Sequence, residues 1–416
     1  MSQSADGTVL RAPGIPHLLT VVFFCFSGFA LLLPVSPAWA IEGGADEFGA
    51  GLVTAVLMAA TVLSQLCVRP TLRKLGWSRT LALGALLLGV PALLQSFSNH
   101  LLPILLTTAL RGAGFGILTV CGSTAAAALA PRGRQGATIG LYGLAVALPQ
   151  VILTPAAPWL TGTFALSPVI ACGLLTVLAV PWSLALGRVV EARTDKGTDR
   201  DSPQGRPVRT VTALRRIGLP LTVLLVVTAA GGAVLTFAPQ FAATPALATA
   251  SLLALTVTAA VARWGCGALA DRIALRPLSA VLTLAGCAGL TLIALAVRSD
   301  SGNVPVLLGG VFLLGAAYGG LQSLTLVQAF ALAGSESRQT TSVAWNIGYD
   351  AGTGLGSLVI GLAAQAATYS TGFAAMAALM AVIALAVTAA RHPQSGHSRV
   401  SRRPARRSKR QPPLNR

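Results

Sequence analysis

The sequence predicts an all-α integral membrane protein, with twelve transmembrane helices arranged as two pseudo-symmetric six-helix bundles. Three observations predict it. Hydrophobic residues make up 54% of the 416 and charged residues 10%, with a mean hydropathy of +0.73. A water-soluble domain of this length needs far more charge to cover its surface. Apolar runs of about 20 residues, long enough to cross a hydrocarbon core, recur along the chain. A short basic loop pattern also appears twice, about 200 residues apart, at corresponding places in two sets of runs.

The first span, near 17–39, follows the basic Arg11 and ends in Ala38-Trp39-Ala40, which mimics a signal-peptidase site. The run is long for a leader core, and its loss would leave the first bundle a helix short, so it is counted as a retained helix. Span two, 49–68, leads into the loop RPTLRKLGWSR at 69–79. Spans three and four, 80–98 and 101–122, are joined by a short turn. Span five, 136–160, follows Arg132 and Arg134, and Pro149, Pro155 and Pro158 predict a bend in it. Span six, 165–187, ends at the long polar interruption 188–217, where Asp195, Asp199, Asp201, Pro203 and Pro207 mingle with basic residues. That composition suits a flexible connector. Spans seven and eight, 218–238 and 246–265, lead into GALADRIALRP at 267–277. Spans nine to twelve follow near 277–297, 304–329, 340–365 and 371–390. The expected domains are therefore a bundle over 1–187, a linker over 188–217, a second bundle over 218–391 and a basic tail over 392–416.

Basic residues set the orientation. Arg69, Arg73, Lys74, Arg79, Arg132, Arg134, Arg188, Arg193, Arg215, Arg216, Arg263, Arg276 and Arg338 fall on one side, together with the tail. The other side holds Glu42, Asp46, Glu47, Arg298 and Asp300. The positive-inside rule then places both termini in the cytoplasm of a cell-membrane protein. Trp39 and Trp159 are expected at the outer interface, and Trp77, Trp182 and Trp264 at the inner one. The net charge of +18 lies in loops and tail rather than on a recognition element, which argues against a nucleic-acid partner. The tail is expected to anchor topology or to attract anionic lipid. Six cysteines show neither a disulfide framework nor metal spacing, and no cofactor is expected. His17, His100, His392 and His397 lie at span ends or outside spans, so no intramembrane catalytic pair is available and an enzyme is not expected.

The second loop fits G-x-x-x-D-R followed by a basic residue, with Gly267, Asp271, Arg272 and Arg276. The first is degenerate, with Arg73 where the second has Asp271. LRGAGFG at 110–116 likewise matches LLGAAYG at 313–319 in spacing. These loops resemble the one between the second and third helices of each half in the major facilitator superfamily, and the resemblance covers residues 16–390. It implies a transporter of small molecules that works by rocking its two bundles. It also implies a cytoplasmic gate at Gly267, Asp271, Arg272 and Arg276, resting mainly on Asp271 because the first copy lacks the acid.

Two ionisable side chains lie deep in spans, Arg111 in span four and Asp350 in span eleven, and each must face protein or a water-filled cavity. LRGAGFG resembles the fourth-helix motif of proton-coupled members, which implies a role for Arg111 near proton transfer. A fixed cation favours the ionised form of a nearby carboxylate and burial favours the neutral form. A structural alternative is that Arg111 only pins helices through carbonyl groups. Asp350 shares a helix face with Asn346, in a stretch that resembles the eleventh helix of efflux members. It is the expected protonation site or, alternatively, a carboxylate held by Asn346 and neighbouring hydroxyls. Trp345, Tyr349, Tyr142 and Gln150 are candidate cavity residues, with ordinary packing the alternative. The Gly352-x-Gly354-x-Gly356 run follows no strand, so close helix packing is expected there rather than nucleotide binding. In span five Thr154 precedes Pro155 where the antiporter motif has glycine, a departure from that pattern. The function these features suggest is proton-coupled efflux of small amphipathic compounds by a monomer, with uptake of a nutrient such as a sugar or organic acid as the alternative.

Overall fold

A computed structural model describes residues 9–131, 134–196, 214–270, 274–298, 303–333 and 338–389. The linker core, the tail, Asp271, Arg272, Arg132 and Asp300 lie outside these residues. After a short 3-10 turn, Val9–Arg11, come α1 Ile15–Glu42, α2 Glu47–Gln95, α3 Leu101–Leu129 and α4 Gln135–Phe164. Next are α5 Leu166–Ala171, a 3-10 segment Cys172–Ala179 and α6 Val180–Lys196. Then follow α7 Gly218–Phe241, α8 Pro245–Leu269, α9 Leu275–Arg298, α10 Val304–Ala333, α11 Arg338–Ala366 and α12 Tyr369–Ala389.

Among the described residues, eleven helical segments are long and apolar enough to cross a membrane. One of them, α2, has 49 residues, roughly 74 Å at the helical rise, which is more than twice a hydrocarbon core. It is two spans joined at Gly76, whose φ of 75° and ψ of 174° break the helix, so the crossings among the described residues number twelve. The basic loop expected between spans two and three is thus nearly all helical, with the turn concentrated on one glycine that tolerates positive φ. Leu63, Leu102, Val261 and Leu385 are exposed. A hydrocarbon solvent accommodates them where water would drive aggregation.

The two halves repeat their packing. In the first, α3 lies on α2, and Cβ atoms added to Gly112 and Gly116 would strike the backbone of Leu57 and Thr61. In the second, α10 lies on α8, and the matching Gly315 and Gly319 would strike Leu255 and Ala259. Small residues at this spacing let backbones approach closely, which replaces the missing hydrophobic drive in lipid. Between the halves, α11 packs on α2, α4 on α8 and α1 on α7. Gly352 and Gly356 press against α7 at Leu225 and Ala229, while a Cβ on Gly354 would lie 2.9 Å from Met58 on α2. The glycine run is therefore a packing surface on two sides.

One expectation about the aromatic belt is corrected. Trp39 is buried, and its indole N–H donates to the carbonyls of Gln95 (3.0 Å) and Ser98 (2.9 Å). A buried indole needs an acceptor, and the end of α2 provides two. Trp159 and Trp264 are exposed, as a belt position requires.

Candidate functional site

The halves meet along a line of polar contacts. At the end opposite the basic loops, Gln365 on α11 donates to Asp46, the residue that caps α2. Deeper in, Thr236 on α7 donates to Thr54 on α2 at 3.1 Å and lies 2.8 Å from the Ser357 hydroxyl on α11. Further toward the basic end, Gln65 Nε2 on α2 donates to Asp350 Oδ2 on α11 at 2.7 Å and reaches Thr119 Oγ1 on α3 at 3.4 Å. Asp350 is 6% exposed and Gln65 8%. Beyond this pair Ser123 and Asn346 are exposed.

Asp350 is thus an acid at the seam between the halves, held by a neutral amide from the opposite half. Beside it on α11, Tyr349 shares a hydroxyl–hydroxyl hydrogen bond of 2.6 Å with Tyr318 on α10 and stacks on Trp345 at 5.8 Å. The Trp345 indole donates to Thr325 Oγ1 at 3.2 Å. One turn from Tyr318, Gln322 accepts from Arg263 on α8 at 3.0 Å. Trp345, Tyr349 and Asp350 therefore belong to one locality, as their spacing on the helix suggests.

Other expected residues lie apart. Asn346 does not hold Asp350; its amide donates to the Ser342 carbonyl at 2.9 Å on its own helix. Gln150 bonds back to Val146 at 3.4 Å. The Tyr142 ring lies against Gly122, between α4 and α3. Gly267 is exposed at the end of α8, and Arg276 donates to the Val387 and Thr388 carbonyls at 3.0 and 2.9 Å, holding the end of α12.

Arg111 occupies a separate network. Its Nη1 donates to Ser36 Oγ on α1 at 2.9 Å and to Gln95 Oε1 on α2 at 3.1 Å. Arg111 precedes Thr119 by eight residues, about 12 Å along α3, which separates it from the Gln65–Asp350 pair. In this conformation Arg111 and Asp350 thus belong to different networks.

Sequence reasoning that searched for charges passed over Gln65 and Gln95. Deep amides in apolar runs were the available signal. It also passed over Glu191 on α6. The Glu191 carboxylate accepts from the backbone N–H groups of Trp77 (2.6 Å) and Ser78 (3.3 Å), just past the Gly76 break. Two residues on, Arg193 donates to the Leu129 carbonyl at the end of α3 at 2.9 Å. An acid at a helix start and a cation at a helix end both suit the backbone dipole. An acid from α6 thus caps the helix that starts after the Gly76 break.

The family model of the Major Facilitator Superfamily matches residues 18–342 and 243–415. The chain belongs to the Major Facilitator Superfamily. No curated protein matches it in sequence. Among solved structures it is similar to a variant of the nucleoside transporter NupG, with 14% identity, 90% of this chain and 99% of that one covered, and a TM-score of 0.73. A sulfate complex of a variant of the peptide transporter POT gives 14% identity, coverage of 93% and 95%, and a TM-score of 0.70. A bacterial homologue of the human lysosomal transporter Spinster, inward-facing and unoccupied, gives 14%, coverage of 90% and 94%, and 0.66. At these identities the likeness is one of fold. As a superfamily member, the protein is a multi-pass membrane transporter and not an enzyme.

Proposed function

We propose that this transporter exports small amphipathic organic compounds in exchange for protons, by alternating access of its two halves. The observation that carries the reading is the buried Asp350 at the seam, hydrogen-bonded by Gln65 of the other half. A group that gains or loses charge there alters the contact on which the halves pivot, so proton loading and rocking are coupled through one hydrogen bond. The cargo would bind among the apolar faces near Trp345 and Tyr349, with Tyr142 and Gln150 as further lining candidates. Contacts between the halves toward the end opposite the basic loops suit a conformation open at the basic end. That end is the cytoplasmic one under the positive-inside reading, in a cell membrane and with both termini inside. Gly267, Asp271, Arg272 and Arg276 would close it in the alternate conformation. The functional unit is a monomer of two bundles, 1–187 and 218–391, joined by the linker 188–217, with the 392–416 tail near anionic lipid.

The test is proton release from everted vesicles across a panel of amphipathic compounds. Compound-dependent release that disappears in Asp350→Asn is expected. Unchanged release in that variant removes Asp350 from coupling, and no release with any compound removes the export reading.

A further inference from the structure

Arg111 is 1% exposed, yet only one of its three guanidinium nitrogens is bonded. Nη1 takes both contacts, Ser36 Oγ and Gln95 Oε1, while Nε and Nη2 have no hydrogen-bond partner. These two nitrogens form the side-on edge of the guanidinium, whose parallel N–H bonds match a planar oxyanion bidentately. The neighbouring groups have the same character. Gln95 Nε2, on the amide already bonded to Arg111, is a second buried donor without a partner. Thr108, one turn back on the same face of α3, carries a buried hydroxyl also without a partner. Among the described residues, both groups that Nη1 bonds are neutral, so the cation is not neutralised by the protein groups it touches.

A buried charge with unpaired donors calls for a partner, and a ligand of opposite sign supplies both countercharge and acceptors. We propose that the Nε–Nη2 edge of Arg111 binds a small planar oxyanion between α1, α2 and α3. Its source is either the carboxylate of an acidic amphipathic cargo or an inorganic anion held in the first half. The cargo arm rests on the export reading and narrows its substrates to those carrying an acid group. Lysine cannot replace arginine here, because an ammonium offers a point charge instead of a fork.

The experiment is equilibrium binding of radiolabelled benzoate to the full chain in lipid nanodiscs, with nitrate as competitor and no gradient. Saturable benzoate binding, weakened at least 10-fold in Arg111→Lys, is expected. Gln95→Glu keeps the test valid should the lysine variant fail to fold. It places an internal carboxylate on the guanidinium and is expected to weaken benzoate binding to the same degree. Nitrate that displaces benzoate at equal or lower concentration identifies an inorganic oxyanion as the natural occupant. Nitrate that fails to displace it identifies the cargo carboxylate. No saturable binding, or binding that both substitutions leave unchanged, overturns the site. Because no proton gradient is used, that failure leaves proton coupling at Asp350 standing, which fails only on the vesicle assay.

Discussion

At the scale of single residues, the seam depends on an amide and an acid that approach from different halves. Gln65 is a neutral donor, so the contact persists without a fixed countercharge that would lock the halves as an ion pair. When Asp350 is ionised, this hydrogen bond is worth about 1.5–3 kcal/mol, enough to bias a two-state equilibrium by roughly 10- to 150-fold. Gln65→Leu should therefore deplete the conformation in which α2 and α11 meet. Spin-label distances across the end opposite the basic loops should shift to longer values. An unchanged distance distribution in that variant would make the hydrogen bond incidental. Arg111 and Asp350 could be found in the sequence because charge inside a span is rare. Gln65, Gln95 and Ser36 could not be assigned there, because a single polar residue in an apolar run does not say which helix it meets.

At the scale of elements, helix identity came from hydropathy, and the breaks came from chemistry that hydropathy does not record. The basic stretch 69–79 reads as a loop, yet it is helical on both sides of Gly76, because Glu191 caps the new helix from α6. Glu191→Gln keeps an acceptor but removes the charge that favours the helix start. The expected effect is a loss of about 0.3–1 kcal/mol in thermal unfolding, with faster proteolysis near Trp77. Glu191→Ala should cost more, since two backbone donors lose their acceptor. Equal stability of all three proteins would deny the cap any role. Span six illustrates the same limit. It reads as one apolar run but folds as α5, a 3-10 segment and α6, tightened where a Cβ on Gly173 would lie 2.6 Å from that of Ala92.

At the scale of the whole molecule, the two-fold repeat was legible because glycine spacing survives where side chains diverge. Gly112 and Gly116 pack on α2 as Gly315 and Gly319 pack on α8. What the repeat does not encode is which differences matter, since Arg111 faces Leu314 and Asp350 faces Ala147 across it. Rigid rocking of the halves requires the end opposite the basic loops to separate in each cycle. Thr54 and Thr236 lie on different halves with their hydroxyls 3.1 Å apart, so cysteines at both positions should form a disulfide under oxidation. That crosslink is expected to abolish transport, and reduction to restore it. Transport that continues in the crosslinked protein would rule out alternating access at this seam.

The central claim, that Asp350 is the group through which protons drive the halves, is tested most directly by separating exchange from accumulation in proteoliposomes. Asp350→Asn preserves shape and hydrogen bonding to Gln65 but cannot cycle a proton. It should keep counterflow of unlabelled for labelled compound with no gradient, and lose accumulation driven by a pH difference. Proton-driven accumulation at the wild-type level in Asp350→Asn would contradict the account.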